Sequence, residues 1–293
     1  TNSILFSSSL KLVKEIGDCD GIIIHRPNGV AVSKTKFVFV ADSKQHYIAK
    51  FGWDGKLIKK IGRFGQGPND FYLPTQLRLH QNTLTILDIG NKRFAEVDVN
   101  LENLVYSKFP SNFILIEDFT VMEKQKFAFV SCSPNDTGKY HAINLFDLSS
   151  NQLRTFFDQV PQEVEVPEKK IANYPPLRLF YSPVFAIDRN DKQFIISFGC
   201  PGNPIEFFIY SFDGKSLDSF DYVYDKHYRV PDFFREGKRP HRNLKYTQIM
   251  IPKIFVHKGY YIVFVSTVRY NGSKGTFPNI RYLTDSTREC LIF

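Results

Sequence analysis

The sequence predicts an all-β fold built from a repeated four-stranded unit, and three observations carry that expectation. First, short apolar runs rich in aromatic and β-branched residues recur along the whole chain, which holds 29 Phe and 15 Tyr but 2 Met in 293 residues. Such residues fit a pleated, half-buried surface better than a helix. Second, no amphipathic helical pattern separates the runs, which argues against an α/β fold. Third, the runs group by four and the groups repeat every few tens of residues, a period that points to a propeller. Neither a pair of β-sandwiches nor a large jelly roll accounts for the four-strand period.

The elements follow in order. Residues 3–16 (SILFSSSLKLVKEI) read as the last strand of a unit, because they parallel residues 47–61 (YIAKFGWDGKLIKKI), which close the next one. A chain that opens on a closing strand is what a ring sealed by its own termini requires, and closure removes exposed sheet edges. On that reading residues 1–293 form a single domain, with residues 4–16 completing its last unit. Unit one spans residues 30–61, with strands GVAV, KFVFVAD, YIAKFG and LIKKIG, and short turns at 33–36 and 53–56. Asp54-Gly55 in the second turn is a strong hairpin signal. Unit two spans residues 77–109, unit three 119–157 and unit four 184–223, the last with a second Asp-Gly turn at Asp213-Gly214. Unit five spans residues 254–293 and lacks a fourth strand, which residues 10–16 would supply. The count is five.

Between units one and two lies RFGQGPNDFYLP, residues 63–74, preceded by Gly62. Gly62, Gly65 and Gly67 permit positive φ, and Pro68 sets its own φ and extends its predecessor. Glycine runs of this kind also occur in phosphate loops, but those need a following Gly-Lys-Ser/Thr or a helix. Here a proline and an extended segment follow, so the stretch reads as a shaped structural connector. Phe71 is expected to wedge between neighbouring units.

The residues Asp42, Phe51, Asp54-Gly55, Lys59-Lys60-Ile61-Gly62, Gly65, Gly67-Pro68, Phe71 and Pro74 together resemble the NHL-type six-bladed β-propellers of bacterial extracytoplasmic proteins. The close likeness covers roughly residues 30–109, about a quarter of the chain, and the later units match in pattern only. The resemblance implies six blades, a periplasmic or cell-surface location, and a domain that serves either binding or catalysis.

Composition bounds the function further. With 43% hydrophobic and 23% charged residues, the chain can bury a full core, and disorder is not expected. No run approaches the length of apolar sequence that a membrane helix needs. The chain starts at Thr1 without Met or a signal segment, which reads as a processed or trimmed product. A net charge of +8 suits a surface that meets anions but lacks the broad basic stripe of a nucleic-acid binder. Cys19, Cys132, Cys200 and Cys290 show no CxxC spacing, so a structural zinc site is not expected, and free thiols are preferred to two disulfides.

Strand alternation sorts the connections. Within an antiparallel unit, the connections from strand two to three, and from strand four to the next unit, leave at one end. Every long insert belongs to that set: residues 132–140, 158–179, 224–248 and 270–279. Long loops tend to carry function. Residues 158–179 hold Glu163, Glu165 and Glu168 followed by Lys169-Lys170 and Tyr174-Pro175-Pro176, an extended proline-stiffened loop. Residues 224–248 hold seven basic against three acidic residues, interleaved with aromatics. Arg229, Phe233, Phe234, Arg235, Arg239, His241 and Arg242 are the candidate binding residues. Arginine forks suit carboxylate or phosphate, and aromatic faces suit sugars, bases or guanidinium stacking. The bland reading of the same insert, and the one preferred, is aromatics tucked onto the blade ends with solvated charges.

Five of the seven histidines fall at the long-loop end, and His25, His46 and His141 are the candidates for a central zinc or calcium. No HxH or HExxH spacing supports such a site, and ordinary loop histidines are the preferred reading. Asp42 and Asp88 end the second strands of their units, and Asp285 stands in a similar TDS context. A ring of cation ligands is one reading, and turn and inter-unit hydrogen bonding the preferred one. No nucleophile elbow, Ser-His-Asp order or paired-carboxylate motif stands out. The sequence therefore reads as a monomeric, non-enzymatic binding or scaffold module with no cofactor, whose partner is a protein or an anionic small molecule or carbohydrate. The competing reading is a metal-dependent lyase or hydrolase with its site at the same end.

Overall fold

The computed structural model of the chain describes residues 23–109, 115–123, 125–132, 142–157, 182–199, 204–223, 246–270 and 283–292. Strands β1 (Pro27–Val32), β2 (Val38–Asp42), β3 (Tyr47–Phe51) and β4 (Leu57–Ile61) form an antiparallel sheet in sequence order. Val, Phe, Ile and Tyr at successive positions bury β2 and β3 along their whole length, on both faces. Phe39, Ala41 and Ile48 face one way, and Val38, Val40, Ala49 and Phe51 the other. Strand β4 alternates half-buried and exposed residues, as an outer strand should. The β3–β4 turn closes at Asp54-Gly55, where Gly55 takes φ of 90°.

The second sheet repeats this plan with β5 (Pro74–His80), β6 (Thr83–Asp88), β7 (Arg93–Asp98) and β8 (Val105–Lys108). The third contains β9 (Leu115–Glu123), β10 (Lys126–Cys132), β11 (Ala142–Asp147) and β12 (Gln152–Phe157). The fourth contains β13 (Pro183–Asp188), β14 (Gln193–Phe198), β15 (Ile205–Ser211) and β16 (Ser216–Tyr222). The fifth has three strands, β17 (Tyr246–His257), β18 (Tyr260–Tyr270) and β19 (Leu283–Ile292).

The chain divides into two compact units. One comprises Leu10–Phe129 and Phe146–Leu153, and the other Thr1–Ser9, Val130–Leu145 and Arg154–Phe293, so the division runs through the third sheet. In the first unit, Phe39, Ala41 and Ile48 of sheet one pack with Leu77, Leu84, Ile86 and Ala95 of sheet two. Strand β1 approaches β5 closely at Gly29, where an added Cβ would stand 2.4 Å from the Thr75 carbonyl oxygen. The other face of sheet two meets β9 and β10 through phenylalanines, with Phe94 stacked on Phe127 at 4.6 Å and 6°. In the second unit, Ile195, Ile205 and Phe207 of sheet four pack with Ile251, Ile254, Val263 and Val265 of sheet five. Phe156 and Phe157 of β12 lie against Phe194, Phe198 and Tyr210 of sheet four.

Among the described residues the five expected units are five sheets, and the fifth shows the three strands read from its sequence. The first strands of units one, two and three begin three or four residues earlier than read, at Pro27, Pro74 and Leu115, and the largest difference is in unit five. Strand β17 begins at Tyr246 rather than Ile254, so Tyr246, Thr247 and Gln248 belong to a strand and not to the preceding insert. Pro252 hides this continuity, because proline cannot donate to a ladder. The strand accommodates it with a register shift between Met250 and Lys253. Asp285 likewise lies within β19, paired with Arg269, and not at a strand end. The strand read from residues 4–16, and with it closure by the termini, lies outside the described residues. The four long inserts are the connections β10–β11, β12–β13, β16–β17 and β18–β19, all of the two-to-three or four-to-next kind.

Candidate functional site

Among the described residues, the end of sheets one and two that carries these two kinds of connection is built around two aspartates. Asp42 ends β2 and is fully buried. Its carboxylate accepts from the backbone N–H groups of His25 at 2.6 Å, Arg26 at 3.2 Å, Lys44 at 2.9 Å and Gln45 at 3.0 Å. Burial pushes this carboxyl up, but the four N–H donors prevail and hold it below the usual carboxylate range. Asp88 ends β6 in the matching place. It accepts from Tyr72 N at 2.8 Å, Asn91 Nδ2 at 2.8 Å and Arg93 Nε at 2.8 Å. Here burial prevails, and the Asp88 carboxyl is raised despite those donors. Each aspartate therefore clasps the segment entering its own sheet, as the hydrogen-bonding reading of these residues expects.

Between the two clasps runs the connector. Gly62 takes φ of 97°, and a Cβ there would stand 2.3 Å from the Phe71 ring. Phe71 is fully buried among Phe39, Ala41 and Ile48 on one side and Leu77, Leu84 and Ile86 on the other, so it is the wedge expected from its sequence context. Four of the connector's N–H groups are committed, three within it and one to sheet two. Phe71 N donates to Arg63 O, Gly65 N to Phe71 O, Gly67 N to Asp70 Oδ2 and Asn69 N to the Tyr106 hydroxyl. No helix follows it. A phosphate cradle needs those donors free, so the connector is structural. Arg93 lies over Tyr106 at 3.7 Å and donates to Gln66 O and Asp70 O, anchoring the connector to sheet two.

What this scaffold holds outward is aromatic and cationic. Phe64 is 65% exposed and Tyr72 36%. Phe64 meets Tyr72 edge-on at 5.3 Å and 88°, and His46 closes the group at 5.0 Å from Phe64 and 5.8 Å from Tyr72. His46, in the β2–β3 turn with φ of 61°, accepts the Leu73 N–H at Nδ1 over 3.1 Å. The proton of a neutral His46 ring therefore sits on Nε2. Arg26, Lys44, Arg63 and Lys92 are exposed. Asp70 holds Arg63 at Nε over 2.9 Å, leaving the two terminal amino groups turned to solvent on a side chain that is 84% exposed.

The structure separates the sequence candidates. His25 and His46 both adjoin Asp42 through their backbone N–H groups, at 2.6 Å to the carboxylate and 2.8 Å to the carbonyl respectively. The His46 ring is committed at Nδ1 to Leu73. His141 and the binding candidates Arg229, Phe233, Phe234, Arg235, Arg239, His241 and Arg242 lie outside the described residues. Among the described residues no three His, Cys, Asp or Glu side chains assemble as a metal site, and no helix is long and apolar enough to cross a membrane. Phe64, Tyr72, Arg26 and Lys44 were not legible as a group. The one available signal was an aromatic residue set between Gly62 and Gly65, outside any strand alternation that would bury it.

Residues 19–186 match the model of a family described as a 6-bladed beta-propeller. The chain belongs to that family. The five sheets are accordingly blades of a propeller, and the connectors and two-to-three loops form one end of each blade. No curated protein matches the propeller. Among solved structures, it is similar to a chain of the nidogen/laminin complex at 9% identity, covering 89% of this chain and 79% of that one with a TM-score of 0.49. It is also similar to hydrazine synthase from Kuenenia stuttgartiensis at 10% identity, covering 90% of this chain and 70% of that one with a TM-score of 0.46.

Proposed function

We propose that this propeller is a non-enzymatic binding module that works through the connector end of its blades, as a monomer and outside the cytoplasm. The observation that carries the reading is the outward presentation of Phe64 and Tyr72 beside His46 on a hydrogen-bonded connector. Aromatic anchors on a preorganised scaffold are what interfaces use to gain affinity at low entropic cost. The long inserts leave from the same kind of connection in the other blades, which supports the same reading.

The test is a comparison on peptide and glycan arrays of the wild-type protein with the double variant Phe64→Ser, Tyr72→Ser. Ligands that the wild type retains and the variant loses, with melting unchanged, support the reading. Absence of any ligand that depends on these two rings overturns it. Metal analysis after dialysis supplies a second arm. A stoichiometric divalent ion whose removal lowers the melting temperature would replace this reading with the metal-dependent lyase or hydrolase.

A further inference from the structure

Among the described residues, the three carboxylates at the connector end of blades one and two are turned inward. Asp42 and Asp88 are fully buried against backbone N–H groups, Asn91 and Arg93, and Asp70 is taken by Arg63 and Gly67 N. In residues 23–26, 43–46, 62–73 and 89–92 the exposed charged side chains are Arg26, Lys44, Arg63 and Lys92, all cations, and no carboxylate is exposed. The loop bearing Lys92 leans on the connector through Asn91 Nδ2 to Gly65 O at 3.0 Å. The loop bearing Lys44 leans on it through His46 to Leu73 N. The loops that carry Lys44 and Lys92 thus abut the connector that carries Arg63 and the aromatic group.

The rings add a second constraint. A pyranose stacks on a flat aromatic face, but Phe64, Tyr72 and His46 are inclined to one another by 52°, 55° and 88°. Three mutually tilted rings offer edges rather than one flat face, which suits one apolar side chain. Single-stranded nucleic acid needs successive stacking faces along a basic track, and here the rings form one compact group. From charge complementarity and this geometry we propose that the Phe64–Tyr72–His46 group with Arg26, Lys44 and Arg63 docks an acidic peptide segment of a partner protein, its single aromatic or aliphatic residue seated among the rings. The inference rests on the binding reading above and specifies its ligand. Opposite charges steer the encounter and make it salt-sensitive, and the anchor residue slows dissociation.

The experiment measures fluorescence anisotropy with a labelled dodecapeptide of Glu and Ser carrying one central Phe. The comparison probes are the same peptide with Ala for Phe, its Lys counterpart, oligogalacturonate and oligo-dT. The acidic Phe peptide is expected to bind most tightly. Phe64→Ser alone, and Arg26→Glu with Lys44→Glu, are each expected to weaken it about tenfold. Thermal melts of each variant confirm folding, and raised salt weakens the wild type. Equal binding of the Ala peptide, preference for the Lys peptide, or tighter binding of oligogalacturonate or oligo-dT overturns the proposal. If the arrays yield ligands that depend on Phe64 and Tyr72 while none is an acidic peptide, this inference fails and the binding module stands. If the arrays yield none, both fall.

Discussion

Asp42 and Asp88 occupy the same place in consecutive blades and reach opposite electrostatic ends. Both are withdrawn from water, which favours the neutral acid. Asp42 meets four backbone donors, whose N–H dipoles favour the carboxylate strongly enough to lower its pKa. Asp88 exchanges that set for one backbone donor and two side chains, and burial keeps its pKa raised. The difference has a pH signature. A carboxyl whose folded pKa is depressed stabilises the protein above its unfolded pKa, and that contribution fades as pH falls through the folded value. Asp42→Asn is therefore expected to destabilise the fold at about pH 7 by about 1–3 kcal/mol, the cost of losing charge-assisted bonds to buried donors. The gap should narrow as pH falls below the usual carboxylate range, where wild-type Asp42 takes up its proton. Urea unfolding of both proteins across that range measures it, and a gap independent of pH would mean that the carboxylate charge contributes nothing.

At the scale of the element, the connector between β4 and β5 is held by its own backbone bonds, by Asp70 and by the buried Phe71 ring. Full burial of a phenylalanine is worth about 1.5–3 kcal/mol, and Phe71 additionally fills the space between two sheets. Phe71→Ala is expected to cost about 3–5 kcal/mol, read as a lower urea midpoint. A cost under about 1 kcal/mol would show that the blades close without the wedge. The connector's structural role was legible in residues 62–74, because glycine, proline and a lone aromatic in that order restrict the backbone before any tertiary contact forms. The outward turn of Phe64 was not. Whether an aromatic in an irregular segment faces in or out depends on a neighbour far along the chain, here His46, and no period of two or three signals it. The inward turn of Asp70 was hidden for the same reason, since its partners Arg63 and Gly67 bind it only once the loop has folded. The repeat itself relaxes along the chain. Pro27 pairs with Asp42 and Pro74 with Asp88, but in blade four Pro183 pairs with Phe198. The entering segment is still held there by Gly199 N to Ser182 O at 2.8 Å. In blade four a buried phenyl ring has taken the place of the aspartate, so the strand pattern is kept there while the residue is not.

At the scale of the molecule, the four-strand period was readable because each blade buries its middle strands and wets its outer one, so hydrophobicity changes predictably from strand to strand. Among the described residues blade five has three strands, and the sequence offers residues 4–16 as its fourth. A protein shortened by residues 1–16 is accordingly expected to melt several degrees lower, since a missing strand leaves a row of ladder groups unpaired. Unchanged calorimetric melting would show that blade five needs no such partner. The connector has a further consequence for how the protein meets proteases and deuterated water. An irregular, glycine-rich segment is the usual first place for an enzyme to nick a chain. Here the amides of Gly65, Gly67, Asn69 and Phe71 are each held by a named acceptor. They should keep their protons nearly as long as those of the flanking strands, and a limited digest should spare the very stretch that its composition marks as weakest.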